Sequence, residues 1–195
     1  MTAVRSFVAV LLDDATRARL GEEIERLRHA GRSVAWVAPG NLHVTLKFLG
    51  AVDEALLAPV ADALAPVAAS VAPFDLVVEG LGAFPSVSRA RVVWAGTHDG
   101  PPALARLAGV VDTVLAPLGF AAETRPFTGH VTLGRVRQPH RDPALEAALA
   151  AGLGRRYGTV RVERLSLMRS DVGPGGARYS ELRRLPLAGH GVGIP

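Results

Sequence analysis

Two histidines sit in identical surroundings. His43-Val44-Thr45-Leu46 and His130-Val131-Thr132-Leu133 repeat the same four residues, polar at His and Thr and apolar at Val and Leu. Successive side chains of a β-strand point to opposite faces, so in each copy the imidazole and the hydroxyl look out from one side. Histidine is the side chain whose ordinary pKa, about 6.5, lets it take or give a proton near neutrality. Two of them on opposite sides of one reacting centre can serve as base and acid in the same step. Threonine hydroxyls between them can donate hydrogen bonds to oxyanions whose charge grows in the transition state. A phosphodiester suits that quartet, because in-line displacement needs a deprotonated nucleophile at one end and a protonated leaving oxygen at the other. A single His-x-Thr reads best as half-buried strand; its duplication favours the chemical reading.

The flanking residues must build the strands. Each copy is rich in β-formers and reads as a strand that stops at a glycine, Gly50 or Gly134. Arg5 to Leu12 is a short apolar run, expected as a buried strand. Asp13-Asp14 can cap the next segment, where Leu20, Ile24 and Leu27 recur at helical spacing towards Gly31. Ser33 to Val37 reads as a brief strand closed by Pro39-Gly40. Asp53 opens an alanine- and leucine-rich helix to about Ala69, interrupted by Pro59 and Pro66. Phe74 to Glu79 and Arg91 to Gly96 are further strands, and Leu104 to Leu118 a helix ended by Gly119. Pro143 to Leu153 is a short helix and Tyr157 to Met168 one long extended segment. Gly173 to Gly176 is a turn before a last strand, Arg178 to Leu187. The order strand, helix, strand, motif strand, helix occurs before about residue 70 and more loosely between Arg91 and Ala150. Two similar α+β halves related by a pseudo-two-fold are expected, with the histidine strands facing each other.

The 195 residues suit one compact unit or two small lobes, and a 49% hydrophobic content supports a sizeable core. The net charge is +4, carried almost wholly by arginine, which favours an anionic partner such as nucleic acid. The absence of cysteine excludes disulfides, a thiolate nucleophile and cysteine-ligated zinc. The N-terminal run MTAVRSFVAVLLDD lacks the marks of a secretory signal and is too short to span a bilayer. The expectation is a cytoplasmic protein with no membrane partner.

The residues resemble a known family. The doubled His-x-Thr-x is the signature of the two-histidine phosphoesterases, and within them of the RNA 2′,3′-cyclic phosphodiesterases, also called 2′-5′ RNA ligases. RSFVAVLL is similar to that family's opening strand, NLHVTLKFLG and RPFTGHVTLGR to its motif blocks, and RVVWAG to its central strand. LSLMRS and the run through GPGGARYSEL resemble its closing hairpin, so the likeness spans Arg5 to Leu187. It implies an α+β, bilobal two-histidine phosphoesterase fold over residues 1–195. Two pseudo-symmetric lobes would present antiparallel sheets to a central cleft, with helices outside. It further implies hydrolysis of a terminal 2′,3′-cyclic phosphate on RNA, or of a nucleoside 2′,3′-cyclic phosphate, to a 2′-phosphomonoester. No metal and no cofactor is implied, and a monomer is expected. Carried over by motif, His43 is the proton donor, His130 the proton acceptor, and Thr45 and Thr132 hold the phosphate. Arg135 follows the second motif where the family often has a basic residue. The alternatives are a phosphodiesterase for other cyclic or 2′-5′-linked nucleotides, 2′-5′ ligation, and a non-catalytic RNA-binding module.

Arg125 and Arg5 are further phosphate candidates by charge, or structural ion pairs. Phe48 and Phe127 flank the motifs and either stack on a nucleobase or belong to the core, with the core slightly favoured. Phe48 is an odd number of residues from His43, so a regular strand would put it on the opposite face. His29, His98, His140 and His190 lack the motif and read as surface residues.

Overall fold

The computed structural model describes residues 3–31, 33–99, 103–138, 140–173 and 176–189. Among these, nine strands and four helices follow one another as β1 (Ala3–Leu11), α1 (Asp14–Arg28), β2 (Val34–Trp36), β3 (His43–Asp53), α2 (Leu57–Ser70), β4 (Phe74–Phe84), β5 (Val92–Asp99), α3 (Ala103–Leu115), β6 (His130–Val136), α4 (Pro143–Ala150), β7 (Arg156–Val162), β8 (Arg164–Gly173) and β9 (Gly176–Pro186). The strands form a single antiparallel sheet in the order β7-β4-β5-β6-β3-β1-β8-β9, with β2 paired to β6. Its middle lies between β6 and β3, the two motif strands. Four strands of that order lie on either side. Helices α1 and α4 pack on β7 and β4, and α2 and α3 pack on the half that contains β3, β8 and β9. The expected α+β architecture is therefore present, with the two lobes' strands joined at the centre.

Local chemistry accounts for the framework. The Asp13 carboxylate caps α1 by accepting from Thr16 N at 2.7 Å. One face of that helix buries Leu20, Ile24 and Leu27, each worth about 1.5–3 kcal/mol on leaving water. Strand β1 is buried on both faces. Val8, Val10 and Leu12 enter the main core, while Phe7 and Ala9 join Met168 in a small cluster on the other side, with Tyr179 packed against it. Pro59 falls in the first turn of α2, where a missing N–H costs nothing, and the helix continues through Pro66.

Several sequence boundaries shift, each for a backbone reason. The motif strands do not stop at their glycines. Strand β3 passes through Gly50, whose φ of 73° suits glycine, and β6 passes Gly134 to Val136. Strand β4 extends five residues beyond Glu79 to Phe84, because an irregularity at Gly80 (φ 75°) keeps it in register with β5. The long segment from Tyr157 divides at Glu163, since β7 borders β4 while β8 borders β1 in the other half. Asp53 caps a short 3-10 turn, Glu54–Leu56, ahead of α2. Pro174 and Gly175 of the predicted turn lie outside the described residues, and Gly173 pairs with Gly176 on either side of them.

The chain's only lysine, Lys47, is 2% exposed and forms an ion pair with Asp112 of α3. It also donates to the Ala121 carbonyl at 2.7 Å, while Asp112 accepts from Glu123 N at 3.0 Å. That knot fixes the segment leading to β6 against β3. The hydrogen bond from Lys47 holds the Asp112 carboxyl below the usual carboxylate range. Its stabilisation is complete above the unfolded value of about 3.9 and is lost as pH falls through the lower folded value. Lys47→Ala is expected to cost about 1.5–3 kcal/mol in urea unfolding, because it removes the buried ammonium's charge-assisted hydrogen bonds to Asp112 and the Ala121 carbonyl. The variant should also lose part of the stability that the wild type gains as pH rises to about 4.

Candidate active site

Strands β3 and β6 share one paired position among the described residues, Val44 opposite Val131. In an antiparallel register this sets His43 beside Thr132 and Thr45 beside His130. The two imidazoles are then diagonal neighbours, a relation that puts residues roughly 7–8 Å apart, with the Cβ atoms somewhat closer. Beyond this point the strands part. On one side, β2 takes over the edge of β6 opposite residues 134–136. On the other, a cavity of about 1190 Å³ opens, lined by Thr45, Phe48, Phe84, Arg125, Phe127 and His130 among others. A second cavity of about 480 Å³ is lined by Arg5, His43, Thr45, Phe48, Thr132, Arg135 and Tyr179 among others. Thr45 and Phe48 line both, so the two are arms of one cleft with the motif residues at its centre.

A shared irregularity shapes the cleft. Thr45 and Lys47 pair with consecutive residues Ala9 and Val8 of β1, which makes Leu46 an extra, bulged residue. Thr132 and Gly134 likewise pair with consecutive residues Trp94 and Val93 of β5, so Leu133 is bulged in the second copy. A bulge inserts one residue and reverses the alternation that follows it. Both copies accordingly run half-buried, buried, half-buried, buried, buried, exposed. The exposed position is Phe48 in one copy and Arg135 in the other. Phe48 thus lies on the same side as His43, contrary to the regular-strand expectation, and at 58% exposure it is not core.

The imidazoles are held alike. His43 Nδ1–H donates to the Asn41 carbonyl at 2.7 Å, and His130 Nδ1–H donates to the Thr128 carbonyl at 2.8 Å. A carbonyl can only accept, so in each neutral ring Nε2 carries the lone pair. His43 Nε2 lies 3.0 Å from Thr45 Oγ1, which donates to it while the ring is neutral. Phe7 stacks on His43 at 4.8 Å between ring centres, and Tyr179 meets it edge-on at 5.2 Å. Phe84 meets His130 edge-on at 5.0 Å. Burial is the main influence on both, and it pushes both pKa values below 6.5. The carbonyl bonds oppose this, while His130 acts further on His43, and Arg135 on His130, by like-charge repulsion.

The remaining sequence candidates fall where they can meet a ligand. Arg135 and Arg5 line the smaller arm and Arg125 the larger, all three exposed. Phe127 is half-buried, packed on the core while lining the larger arm. His29, His98 and His140 are exposed, as read, and His190 lies outside the described residues. Phe7, Tyr179, Phe84 and the carbonyls of Asn41 and Thr128 were not singled out from the sequence. The carbonyls share a signal, each two residues before its histidine; the rings are brought in by other strands.

A family model described as LigT-like phosphoesterase matches residues 10–94 and 97–179, one motif in each segment. The chain belongs to the LigT-like phosphoesterases. Within that family it is 33% identical over 179 residues to a protein of Methanothermobacter thermautotrophicus named RNA 2′,3′-cyclic phosphodiesterase, covering 92% of this chain and 96% of that one. A solved structure from Thermus thermophilus superposes with a TM-score of 0.79 at 30% identity, covering 95% of this chain and 98% of that one. Escherichia coli LigT complexed with 3′-AMP gives a TM-score of 0.71 at 29% identity, covering 95% of this chain and 98% of LigT.

In the free protein both motif histidines should titrate below 6.5 when followed by proton NMR. Phe7→Ala admits water to His43, so that resonance should move back up towards about 6.5 while His130 stays within a few tenths of its value.

Proposed function

We propose that this chain is a metal-independent RNA 2′,3′-cyclic phosphodiesterase that acts as one catalytic unit on RNA ends and nucleoside 2′,3′-cyclic phosphates. The carrying observation is that two imidazoles with matching tautomers present Nε2 from diagonal positions beside two threonine hydroxyls. The relatives' name supplies the substrate class, and the 3′-AMP complex of LigT shows a nucleotide bound in a related protein.

In the proposed reaction His130 Nε2 removes a proton from water as the oxygen attacks phosphorus. The P–O3′ bond breaks, its electron pair leaves with O3′, and His43 Nε2–H supplies the proton. The phosphate remains on O2′. Thr45 and Thr132 donate to its non-bridging oxygens, and the Arg135 guanidinium supplies an opposite charge beside them. Phe48, Phe127 and Arg125, which line the larger arm, would contact the nucleoside, the rings by stacking on the base. The phosphate anion favours imidazolium, which offsets the depression that burial imposes on the free enzyme's donor.

Hydrolysis of a nucleoside 2′,3′-cyclic phosphate in EDTA, with products resolved by phosphorus NMR, tests this reading. The expected product is the 2′-phosphate, at an undiminished rate. A 3′-phosphate would reverse the proposed orientation of the sugar, and loss in EDTA with rescue by Zn²⁺ or Mn²⁺ would make the histidines metal ligands. His43→Ala and His130→Ala should each lower turnover about 10²-fold or more with thermal stability retained. Thr45→Ala and Thr132→Ala should each cost less, because each removes one of several bonds to the phosphate.

A further inference from the structure

Beside the cleft lies a groove of about 710 Å³ lined by Pro85, Ser88, Arg89, Arg91, His140 and Arg141. Pro85 and Arg91 also line the larger arm that holds His130, so the groove continues the cleft outwards. We propose that it binds the phosphodiester backbone of the RNA chain upstream of the cyclic end. This rests on the reading of the cleft as a site for RNA ends.

The charge and its placement carry the argument. Three guanidiniums and an imidazole come from two separate segments. Arg89 and Arg91 lie on the connection between β4 and β5, whose 3-10 turn Val87–Arg89 packs against α4. His140 and Arg141 lie just ahead of that helix. Among the described residues no carboxylate lines the groove. Arg89 and Arg91 are exposed and have no ion-pair partner among the described residues. Arg141 pairs with Glu146 at 3.3 Å yet remains 75% exposed, which leaves donors facing solvent. Guanidinium presents a planar fork of donors that matches phosphate oxygens, and unpaired cations gain most from an anion. The described lining contains no phenylalanine, tyrosine or tryptophan, so it offers no stacking platform for bases. Its chemistry therefore suits the repeating phosphates, whatever the sequence. A mononucleotide in the cleft has no upstream phosphate to reach it, so the groove would distinguish polymer from monomer.

The double variant Arg89→Ala/Arg141→Ala tests this and leaves Arg91, which lines the cleft, in place. Kinetics on a nucleoside 2′,3′-cyclic phosphate and on a short RNA oligomer with the same end are compared across salt. Binding of a fluorescent oligomer ending in a 3′-phosphate is followed by anisotropy. For the oligomer, KM and Kd should rise roughly tenfold at low salt. The slope of log Kd against log salt should flatten by about 1.4, two single-strand phosphate contacts at about 0.7 each. The mononucleotide's kcat and KM should stay within about twofold, which also reports an intact fold. Unchanged oligomer affinity, or equal losses on both substrates, would overturn the proposal. If the wild type hydrolysed neither substrate, the reading of the cleft would fail, while anisotropy would still decide whether the groove holds RNA.

Discussion

The site depends on one backbone constraint: two strands that meet at a single valine pair and are then forced apart. Val44 and Val131 are fully buried and opposite each other, which fixes the relative height of the two motifs. Because each motif is His-Val-Thr around that valine, the pairing interleaves imidazoles and hydroxyls on one face. A slip of one residue in either strand would turn that strand's imidazole and hydroxyl into the core. The bulges at Leu46 and Leu133 then end the alternation at the same place in both copies. They send Lys47 inwards and bring Phe48 and Arg135 out to the cleft. Duplication thus delivers matched imidazoles and hydroxyls and, one step later, an unmatched pair: an aromatic ring in one lobe and a cation in the other.

Electrostatics follows from that geometry. The imidazoles are buried enough to prefer neutrality, yet one of them must carry a proton in the proposed reaction. Each unit of pKa depression is about 1.4 kcal/mol against the charged form. The aromatic packing of Phe7 and Tyr179 fixes the His43 ring and contributes to that cost. In that reaction a bound phosphate would reverse it, so the anionic substrate would itself set the protonation state that its cleavage needs. The arginines around the cleft act in the other sense, disfavouring imidazolium while attracting phosphate. Arg135 is the clearest case, since it raises the cost of charging His130. That suits the residue assigned here as base, which must start neutral.

Much of this was legible in the residues. The doubled motif, the buried first strand, the Asp13 cap and the stop at Gly119 are local signals, and local signals survive folding. The face of Phe48 was not, because a bulge is defined only against the neighbouring strand's register. The split at Glu163 left only a change of phase, from Val160 and Val162 to Leu165 and Leu167, and the different partner strands that explain it are set by the fold. Phe7, Tyr179 and Phe84 reach the histidines through non-local pairing, which leaves no spacing rule to read. The arginines of the outer groove lie in two connections with no common pattern, and only the packing of α4 brings them together.

The central claim is that two imidazoles divide acid and base work on one phosphate. The pH dependence of kcat/KM for a nucleoside 2′,3′-cyclic phosphate tests it most directly, measured for the wild type and for each single histidine variant. The account predicts a bell for the wild type, with two limbs that belong to the pair, and the loss of a different limb in each variant. A bell that survived removal of either histidine, or a wild-type profile with a single limb, would contradict it.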